Sequence, residues 1–347
     1  MTDPQLTATI AAMRQRHSHA DSDGDILLWR AIAMLTSYHH YYRDNTTVVP
    51  VAVERSYMHW VALPGGEKSI RAGKIDGVVE INGDYYVLEH KTTTSDISGP
   101  SPLYFASLQI DSQVSGYMMA EHLSGRRVAG CVYDVLRKPT HRPKRADKKA
   151  LDTDAWTYYD TEMTREDIDE HQETGIETNR MFCLRLIAMV DEFPDLWFQR
   201  RVTTRTPDEV ASYARDLEHQ VDDIETAVRM GRLYKNTASC KDFNRPCPYL
   251  GVCKGEAVFA ESSDWTKIGD SHVELDLPDG TDHSKVHTHS SITCFAACRR
   301  KWQYQYQQGW RKRKTEEPLY FGDLVHVGLE AWLKYQMANQ REGVPTQ

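Results

Sequence analysis

Three residues on either side of a predicted β-turn have the chemistry for metal-assisted hydrolysis. Asp76 precedes the turn residues Asn82 and Gly83, and Glu89 and Lys91 follow them, within two runs rich in β-branched and aromatic residues. Asn-Gly between such runs predicts a β-hairpin, because both central positions of a type I′ turn require positive φ. A two-residue turn also determines the register, so we expect Asp76 to lie opposite Glu89.

The predicted register would bring two carboxylates face to face. Directly opposed Cβ atoms are about 4.5–5.5 Å apart, and like charges at that distance repel unless a proton or a cation lies between them. A divalent cation would resolve the repulsion, and the backbone carbonyl of His90 offers a further oxygen ligand. The two-residue period of a strand places the Lys91 ammonium on the same face as Glu89. Acids and lysines also occur on ordinary solvated hairpins, but together these features favour phosphodiester hydrolysis.

The remaining pattern predicts the elements that would position this hairpin. Residues 48–63, 74–81 and 84–91 predict an antiparallel three-stranded start to a sheet, and residues 128–136 predict a buried strand. Residues 257–288 show little periodicity and are typical of a linker. Helical spacing of apolar residues predicts helices over 23–42, 108–123, 164–192, 207–231, 289–308 and 318–336.

Composition limits the class of protein. The chain has 347 residues, of which 40% are hydrophobic, which is enough for a buried core. It contains no run near the ~18 apolar residues of a membrane span, and its N-terminus lacks the apolar core of a signal peptide. We therefore expect a cytoplasmic protein. In a reducing compartment, metal binding explains clustered cysteines better than disulfides do.

Asp76, Glu89-x-Lys91 and the later pair Gln113-x-x-x-Tyr117 resemble the PD-(D/E)XK nuclease superfamily, specifically its RecB-like branch. That branch includes iron-sulfur exonucleases and many phage nucleases. The resemblance implies an α/β restriction-endonuclease-like core, with a mixed β-sheet flanked by helices. It also implies that the acids bind Mg²⁺ or Mn²⁺, that Lys91 is catalytic, and that Gln113 and Tyr117 face the active site, as their i, i+4 spacing on a helix allows.

The seven cysteines extend the resemblance. Cys240, Cys247 and Cys253 resemble the C-terminal group that holds a [4Fe-4S] cluster in iron-sulfur members, although the first interval is wider than usual. Zinc is the alternative metal, and a group of buried cysteines without metal is the third interpretation. Cys131 and Cys183 lie in apolar runs and are expected in the core.

The last part of the chain resembles the beginning of the same family's domain. The run from His289 to Trp302 and the run from Tyr320 to Glu330 imply that Cys298 is the remaining cluster ligand and that His326 is a metal ligand. The segment could complete the domain by circular permutation, be donated to a neighbouring molecule, or open a second domain. We favour permutation, with residues 1–260 as the main part, 261–286 as linker and 287–347 as the permuted segment.

The net charge of −8 means that DNA contacts must come from local basic patches. The first patch lies within residues 137–149 and the second within residues 299–314. Aromatic residues interleaved with the second patch suit stacking of unpaired bases, and a helix that buries its aromatics is an equal alternative. The predicted DNA-binding residues are Arg137, Lys138, Arg142, Lys144, Arg145, Arg299, Arg300, Lys301 and Trp302.

The sequence thus predicts a Mg²⁺- or Mn²⁺-dependent deoxyribonuclease that acts in DNA replication, recombination, repair or defence. The expected partners are single- or double-stranded DNA and recombination or helicase proteins, without a membrane. The alternative is a non-catalytic DNA-binding or assembly subunit that retains the nuclease fold, and the intact Asp76, Glu89 and Lys91 argue against it.

Overall fold

The computed structural model describes residues 3–17, 22–99, 103–242, 245–269, 272, 275–313 and 317–342. Its α-helices are α1 Pro4–Arg16, α2 Ser22–Tyr42, α3 Leu103–Leu108, α4 Ser112–Leu123, α5 Arg165–Thr174, α6 Asn179–Glu192, α7 Pro207–Arg229, α8 Leu250–Lys254, α9 His289–Ala297, α10 Arg299–Trp302 and α11 Glu317–Glu342. Its strands are β1 Val49–Ala62, β2 Lys68–Ile81, β3 Asp84–Thr93, β4 Gly130–Arg137, β5 Leu151–Asp152, β6 Thr157–Tyr158, β7 Thr161–Glu162, β8 Phe198–Thr203, β9 Lys241–Asp242, β10 Arg245–Pro246, β11 Trp265–Lys267, β12 Val286–His287 and β13 Trp310–Lys312.

The main sheet is mixed and is flanked by helices, as predicted. Its strands lie in the order β1-β2-β3-β4-β8, and β12 pairs with β2 beside this path. Strands β1, β2 and β3 are antiparallel, β3 and β4 are parallel, and β8 returns antiparallel to β4. The parallel step from β3 to β4 requires a crossover, which helices α3 and α4 provide.

Apolar residues cover both faces of the sheet. On one face, α1, α2, α6 and α11 surround a core that includes Leu35, Leu88, Phe182 and Leu324. On the other face, α4 packs its buried residues Val114 and Tyr117 against β3 and β4. A third cluster lies between α7, α9 and the end of β1. The hairpin of β2 and β3 is therefore held between two helical layers.

Two predicted helices are interrupted in the structure, and a third, predicted over 108–123, begins at Ser112. The predicted helix 164–192 is divided, because Gly175 ends α5 at φ 68° and Thr178 caps α6. Asp111 caps α4 and so separates it from α3. The predicted helix 289–308 breaks at Cys298, whose backbone is extended, and continues as α10 and a π-helix over Gln303–Gln307.

The expected linker contains short paired strands. Strand β11 pairs with β13, and β12 pairs in parallel with Ile70 and Arg71 of β2. These strands are two or three residues long and lack an alternating pattern, so only their tertiary partners define them. The stretch thus attaches the last part of the chain to the main sheet.

Candidate active site

The hairpin has the register that its turn predicts. Ile81 pairs with Asp84, and the ladder continues to Gly77 opposite Leu88, so Asp76 and Glu89 are the next opposed positions. Asn82 and Gly83 have φ values of 54° and 90°, as a type I′ turn requires.

The strands separate just past the last ladder pair. There the backbone N–H of His90 donates to Oδ2 of Asp76 over 2.8 Å instead of continuing the ladder. This contact joins β2 and β3 at the end of the hairpin away from the turn, and it positions the Asp76 carboxylate beside β3.

Lys91 lies at the centre of a chain of hydrogen bonds. Its Nζ donates to Oε1 of Glu89 over 2.6 Å and to Oε1 of Gln113 over 2.8 Å. Nε2 of Gln113 then donates to the hydroxyl of Tyr117 over 2.6 Å. Gln113 lies in the first turn of α4, so the helix places the Gln113 side-chain amide beside the Lys91 ammonium. The structure thus brings four of the predicted site residues together.

His326 reaches the same place from the far end of the chain. Nε2 of His326 lies 2.9 Å from Oε1 of Glu54 and 3.6 Å from Oδ1 of Asp76. Among the residues that the structure describes, Glu54, Asp76 and His326 form the one group of three or more ligand atoms within 4.8 Å of one another. Lys74 lies 2.9 Å from the other oxygen of Glu54 and balances its charge.

Glu54 is a site residue that the sequence analysis missed. It lies on β1 between the pairs Val53–Gly77 and Arg55–Ile75, and therefore opposite Asp76. Its φ of 52° is in the left-handed region, which costs a non-glycine residue about 1–3 kcal/mol. Such strain is typical of functional positions, but the sequence around Glu54 carries no turn signal that reveals it.

Burial and charge perturb two of these groups. Burial, followed by the charge of Asp76, raises the pKa of Glu89 to about 8 against the opposing effects of Lys91 and His326. Burial lowers the pKa of His326, but the hydrogen bond to Glu54 and the charges of Asp76, Glu54 and Glu89 together raise it to about 9. The acids therefore concentrate enough negative charge to hold protons at neutral pH, which is the environment that a cation would also occupy.

The donor set fits a divalent cation. Oε2 of Glu89 is buried and accepts no hydrogen bond from the described residues. A buried carboxylate oxygen without a donor is costly unless an ion satisfies it. Glu54, Asp76 and His326 form the compact donor set, and Glu89, which is not part of this group of three, adds a buried carboxylate whose charge interacts with that of Asp76. Carboxylate oxygens are the ligands that Mg²⁺ and Mn²⁺ prefer. The carbonyl of His90 remains a predicted ligand.

A cleft of about 480 Å³ opens beside these groups, between β3 and α11. Lys91 and Thr92 line one wall, and Gly322, Asp323 and His326 line the other. A phosphodiester could therefore approach Lys91 from the side on which His326 lies.

Two of the four predicted cluster cysteines, Cys240 and Cys298, contact the same residue, Asn236. Asn236 donates its backbone N–H to Sγ of Cys298 over 3.4 Å, and its carbonyl lies 3.9 Å from Sγ of Cys240. Burial raises the pKa of the Cys247 thiol, and the charges of Cys253 and Cys240 act in the same direction. Cys131 and Cys183 are buried in the core, as expected.

The first basic patch is divided between buried and exposed positions. The side chains of Arg142, Lys144 and Arg145 are exposed. By contrast, Nζ of Lys138 lies 3.4 Å from Glu317 and its side chain is 9% exposed, while Arg137 lies 3.5 Å from Asp96. A polyanion can therefore reach this exposed trio.

The second patch differs from its prediction at Trp302. Its ring is 6% exposed, packs in the core beside Phe295, and donates to Ser291 over 2.8 Å. The stacking role predicted for Trp302 is therefore wrong, because the ring is needed to fill the space between α9 and α10. Arg299, Arg300 and Lys301 remain partly exposed. Lys314, at the end of the predicted patch, lies outside the described residues.

The model of the PD-(D/E)XK nuclease superfamily matches residues 3–254 and 287–346. The match covers most of the chain, so the protein belongs to this superfamily. No curated protein matches the chain. In the described part of the chain, no helix is both long and apolar enough to cross a membrane.

Proposed function

We propose that the protein is a Mg²⁺- or Mn²⁺-dependent deoxyribonuclease that hydrolyses phosphodiester bonds. The observation that carries this proposal is the position of Lys91, which hydrogen-bonds Glu89 beside the group of Glu54, Asp76 and His326. An ammonium next to a cation-binding group is the arrangement that phosphoryl chemistry needs.

Each side chain has a distinct task in this proposal. Glu54, Asp76, Glu89 and His326 would hold the divalent cation, which supplies Lewis-acid activation of the phosphate and of water. Lys91 positions the nucleophile or stabilises developing charge, since its ammonium can reach the cleft from β3. Gln113 holds Lys91 in place, and Tyr117 orients the Gln113 amide.

The alternative, a non-catalytic DNA-binding or assembly subunit, is less consistent with these contacts. A binding subunit has no need for a buried Glu89 whose second oxygen lacks a donor, or for the strained backbone of Glu54. Both features are energetically costly and are explained by cation binding.

We further propose a RecB-like exonuclease whose C-terminal segment is circularly permuted. The family match falls into two separate pieces, and α11 packs against α1, with Arg16 lying 2.7 Å from Asp323. His326 on α11 contacts Glu54 on β1, which supports a contribution of the permuted segment to the site. Recombination or helicase proteins are the partner class that such an exonuclease would serve.

We also propose that Cys240, Cys247, Cys253 and Cys298 hold a [4Fe-4S] cluster. All four are free thiols at partly exposed positions, and thiolate ligation is what such clusters require. The cluster would join the end of the main part to the start of the permuted segment, and so act as a structural link.

The decisive experiment incubates end-labelled single- and double-stranded DNA with the protein and with Mg²⁺, Mn²⁺ or EDTA. We expect cleavage that requires a divalent cation, and mononucleotide or short products released from one end would support the exonuclease assignment. Binding without cleavage under every metal condition would instead support the non-catalytic alternative.

A further inference from the structure

A second cavity lies far along the chain from the active-site hairpin, between α7 and α9. Its volume is about 480 Å³, and its floor is formed by the buried Ile292 and Phe295. Its polar lining includes Asp223, Tyr234, Lys235, Asn236, Cys298 and Arg299. None of these residues except Cys298 and Arg299 was predicted to have a functional role.

An aromatic and guanidinium stack forms one side of this cavity. Cζ of Arg299 lies 5.0 Å from the ring centroid of Tyr234 and 4.9 Å from that of Phe295. Phe295 is 6% exposed, whereas Tyr234 is 57% exposed. The stack therefore begins in the core and ends in a large aromatic ring in solvent, where it can be extended by another flat group.

The loop that carries Tyr234 is held firmly in place. The backbone N–H of Arg300 donates to the carbonyl of Tyr234 over 3.1 Å. Nδ2 of Asn236 donates to the carbonyl of Ala297 over 2.8 Å, and Leu233 is buried beneath the loop. A ligand would thus meet a preformed surface and lose little affinity to ordering it.

The charges around the cavity distinguish between possible ligands. Asp223 and the carboxyl end of α9 make the interior unfavourable for a phosphate. Arg232 and Lys235 flank Tyr234 and are exposed; Lys235 also lines the cavity, and its ammonium donates to the carbonyl of Cys253. These cations favour a polyanionic backbone beside the ring. An apolar floor, a stacking platform, hydrogen-bonding groups and nearby cations together match a nucleotide whose base is unpaired.

We propose that this cavity binds one unpaired base of single-stranded DNA, outside the catalytic centre. The proposal rests on the proposed nuclease function and specifies the substrate as single-stranded at this point. Tyr234 and Arg299 form the stacking platform, and this site takes the role that the sequence suggested for Trp302. A paired base cannot enter, because its faces are already covered by its neighbours in the duplex.

The test measures DNA binding by full-length protein with its metal content intact, in a Lys91→Ala background that prevents cleavage. A fluorescein-labelled single-stranded oligonucleotide and a blunt duplex of equal length are the two probes. Tyr234→Ala should weaken single-strand binding by about 5- to 150-fold, the range for loss of one stacked base, and should leave duplex binding unchanged. Tyr234→Phe keeps the ring and should bind like the parent.

A control variant and a fluorescence measurement distinguish a specific base contact from a general effect of removing a surface tyrosine. Tyr41→Ala removes a comparably exposed tyrosine from α2 and should not change binding of either probe. A 2-aminopurine base placed along the oligonucleotide should be quenched at one position in the parent, and this quenching should disappear in Tyr234→Ala.

Unchanged single-strand binding by Tyr234→Ala would overturn the base-binding site, and so would an equal loss of duplex binding. If wild-type protein cleaves DNA while Tyr234→Ala behaves like its parent, only this inference fails. If the parent binds neither probe and the wild type cleaves neither, both the inference and the proposed function fail.

Discussion

Oε1 of Glu54 and Nε2 of His326 lie 2.9 Å apart, although the two residues are separated by 272 positions in the chain. Asp76 lies 3.6 Å from the same imidazole, so β1, β2 and α11 meet at one point. The candidate metal site therefore exists only when the C-terminal helix packs against the main sheet. This dependence makes the folding of the last part of the chain a condition for activity.

Replacement of Lys91 by alanine should abolish cleavage while the fold remains. Lys91 is the ammonium in contact with both Glu89 and Gln113, and loss of one group that stabilises transition-state charge costs about 10²–10³ in rate. The measurement is single-turnover cleavage of end-labelled DNA with Mn²⁺, together with thermal melting. Lys68→Ala, at an exposed position of β2, is the matched control and should cleave normally. Full activity of Lys91→Ala would refute the assigned site.

Glu54→Gln should weaken metal binding. The substitution keeps the size of the side chain but removes a charge beside Asp76 and His326, so we expect at least about a 10-fold loss of Mn²⁺ affinity. Titration of free Mn²⁺ by electron paramagnetic resonance measures this directly, without reference to activity. Glu80→Gln, near the hairpin end of β2, serves as the control. Unaltered Mn²⁺ affinity in Glu54→Gln would remove Glu54 from the site.

The position of Glu54 opposite Asp76 could not be predicted from local sequence rules. The Asn82-Gly83 turn determines the pairing of β2 with β3, so Asp76 and Glu89 could be placed from local rules. The pairing of β1 with β2 has a register shift between Pro50 and Ala52, and no two-residue turn connects these strands. Its register follows from tertiary packing, which local rules do not describe.

The same distinction applies to the helices and to Trp302. Apolar periodicity predicted most helical positions, but Gly175 and Thr178 divide the helix predicted over 164–192, and the cap Asp111 starts the helix predicted over 108–123 only at Ser112. Periodicity could not distinguish a stacking Trp302 from a buried one, since an aromatic residue satisfies both patterns. Its burial depends on the contact between α9 and α10, which the sequence does not specify.

Metal should stabilise the protein more at pH 8 than at pH 6. In the metal-free protein the pKa of Glu89 is about 8 and that of His326 is about 9, both above their ordinary values of 4.5 and 6.5. The folded state therefore binds more protons than the unfolded state, and its stability falls as pH rises through this range. Glu89 and His326 lose their protons over the same pH range, and only the deprotonated side chains can bind a cation.

The measurement for this prediction is the melting temperature in EDTA and in Mn²⁺ at both pH values. The melting temperature in EDTA should fall from pH 6 to pH 8, and the increase caused by Mn²⁺ should be larger at pH 8. Glu89→Gln should reduce this pH dependence, since it removes one of the two groups. A rise in melting temperature on adding Mn²⁺ that is larger at pH 6 than at pH 8 would contradict the proposed ligands.

Cys298→Ser should eliminate the proposed cluster. Cys298 is brought to the loop of Cys240 by contacts through Asn236, so its loss leaves at most three of the proposed thiolate ligands. Visible absorbance and iron content of anaerobically purified protein measure the outcome. Cys183→Ser, in the core beside α2, should retain both signals. Absence of iron from the wild-type protein, with zinc in its place, would exclude the iron-sulfur assignment.

A cut in the loop before β12 should leave an intact and active protein. Asp279 and Gly280 are exposed, so a specific protease site can be inserted between them. Cleavage there breaks the chain between α1 and α11 but leaves their noncovalent contacts in place. Phe321, Leu324 and Leu329 of α11 are at most 1% exposed, and burial of each such side chain stabilises the association by about 1.5–3 kcal/mol. The two pieces should therefore coelute on size exclusion and cleave DNA together.

Leu324→Asp is the informative control for this cut, because it places a charge in the contact between α11 and the sheet. The cut variant that also carries Leu324→Asp should separate into its two pieces and lose activity.

The uncut wild type should elute as a monomer whose specific activity is independent of concentration. A dimer whose activity falls on dilution would contradict a site that is completed within one chain.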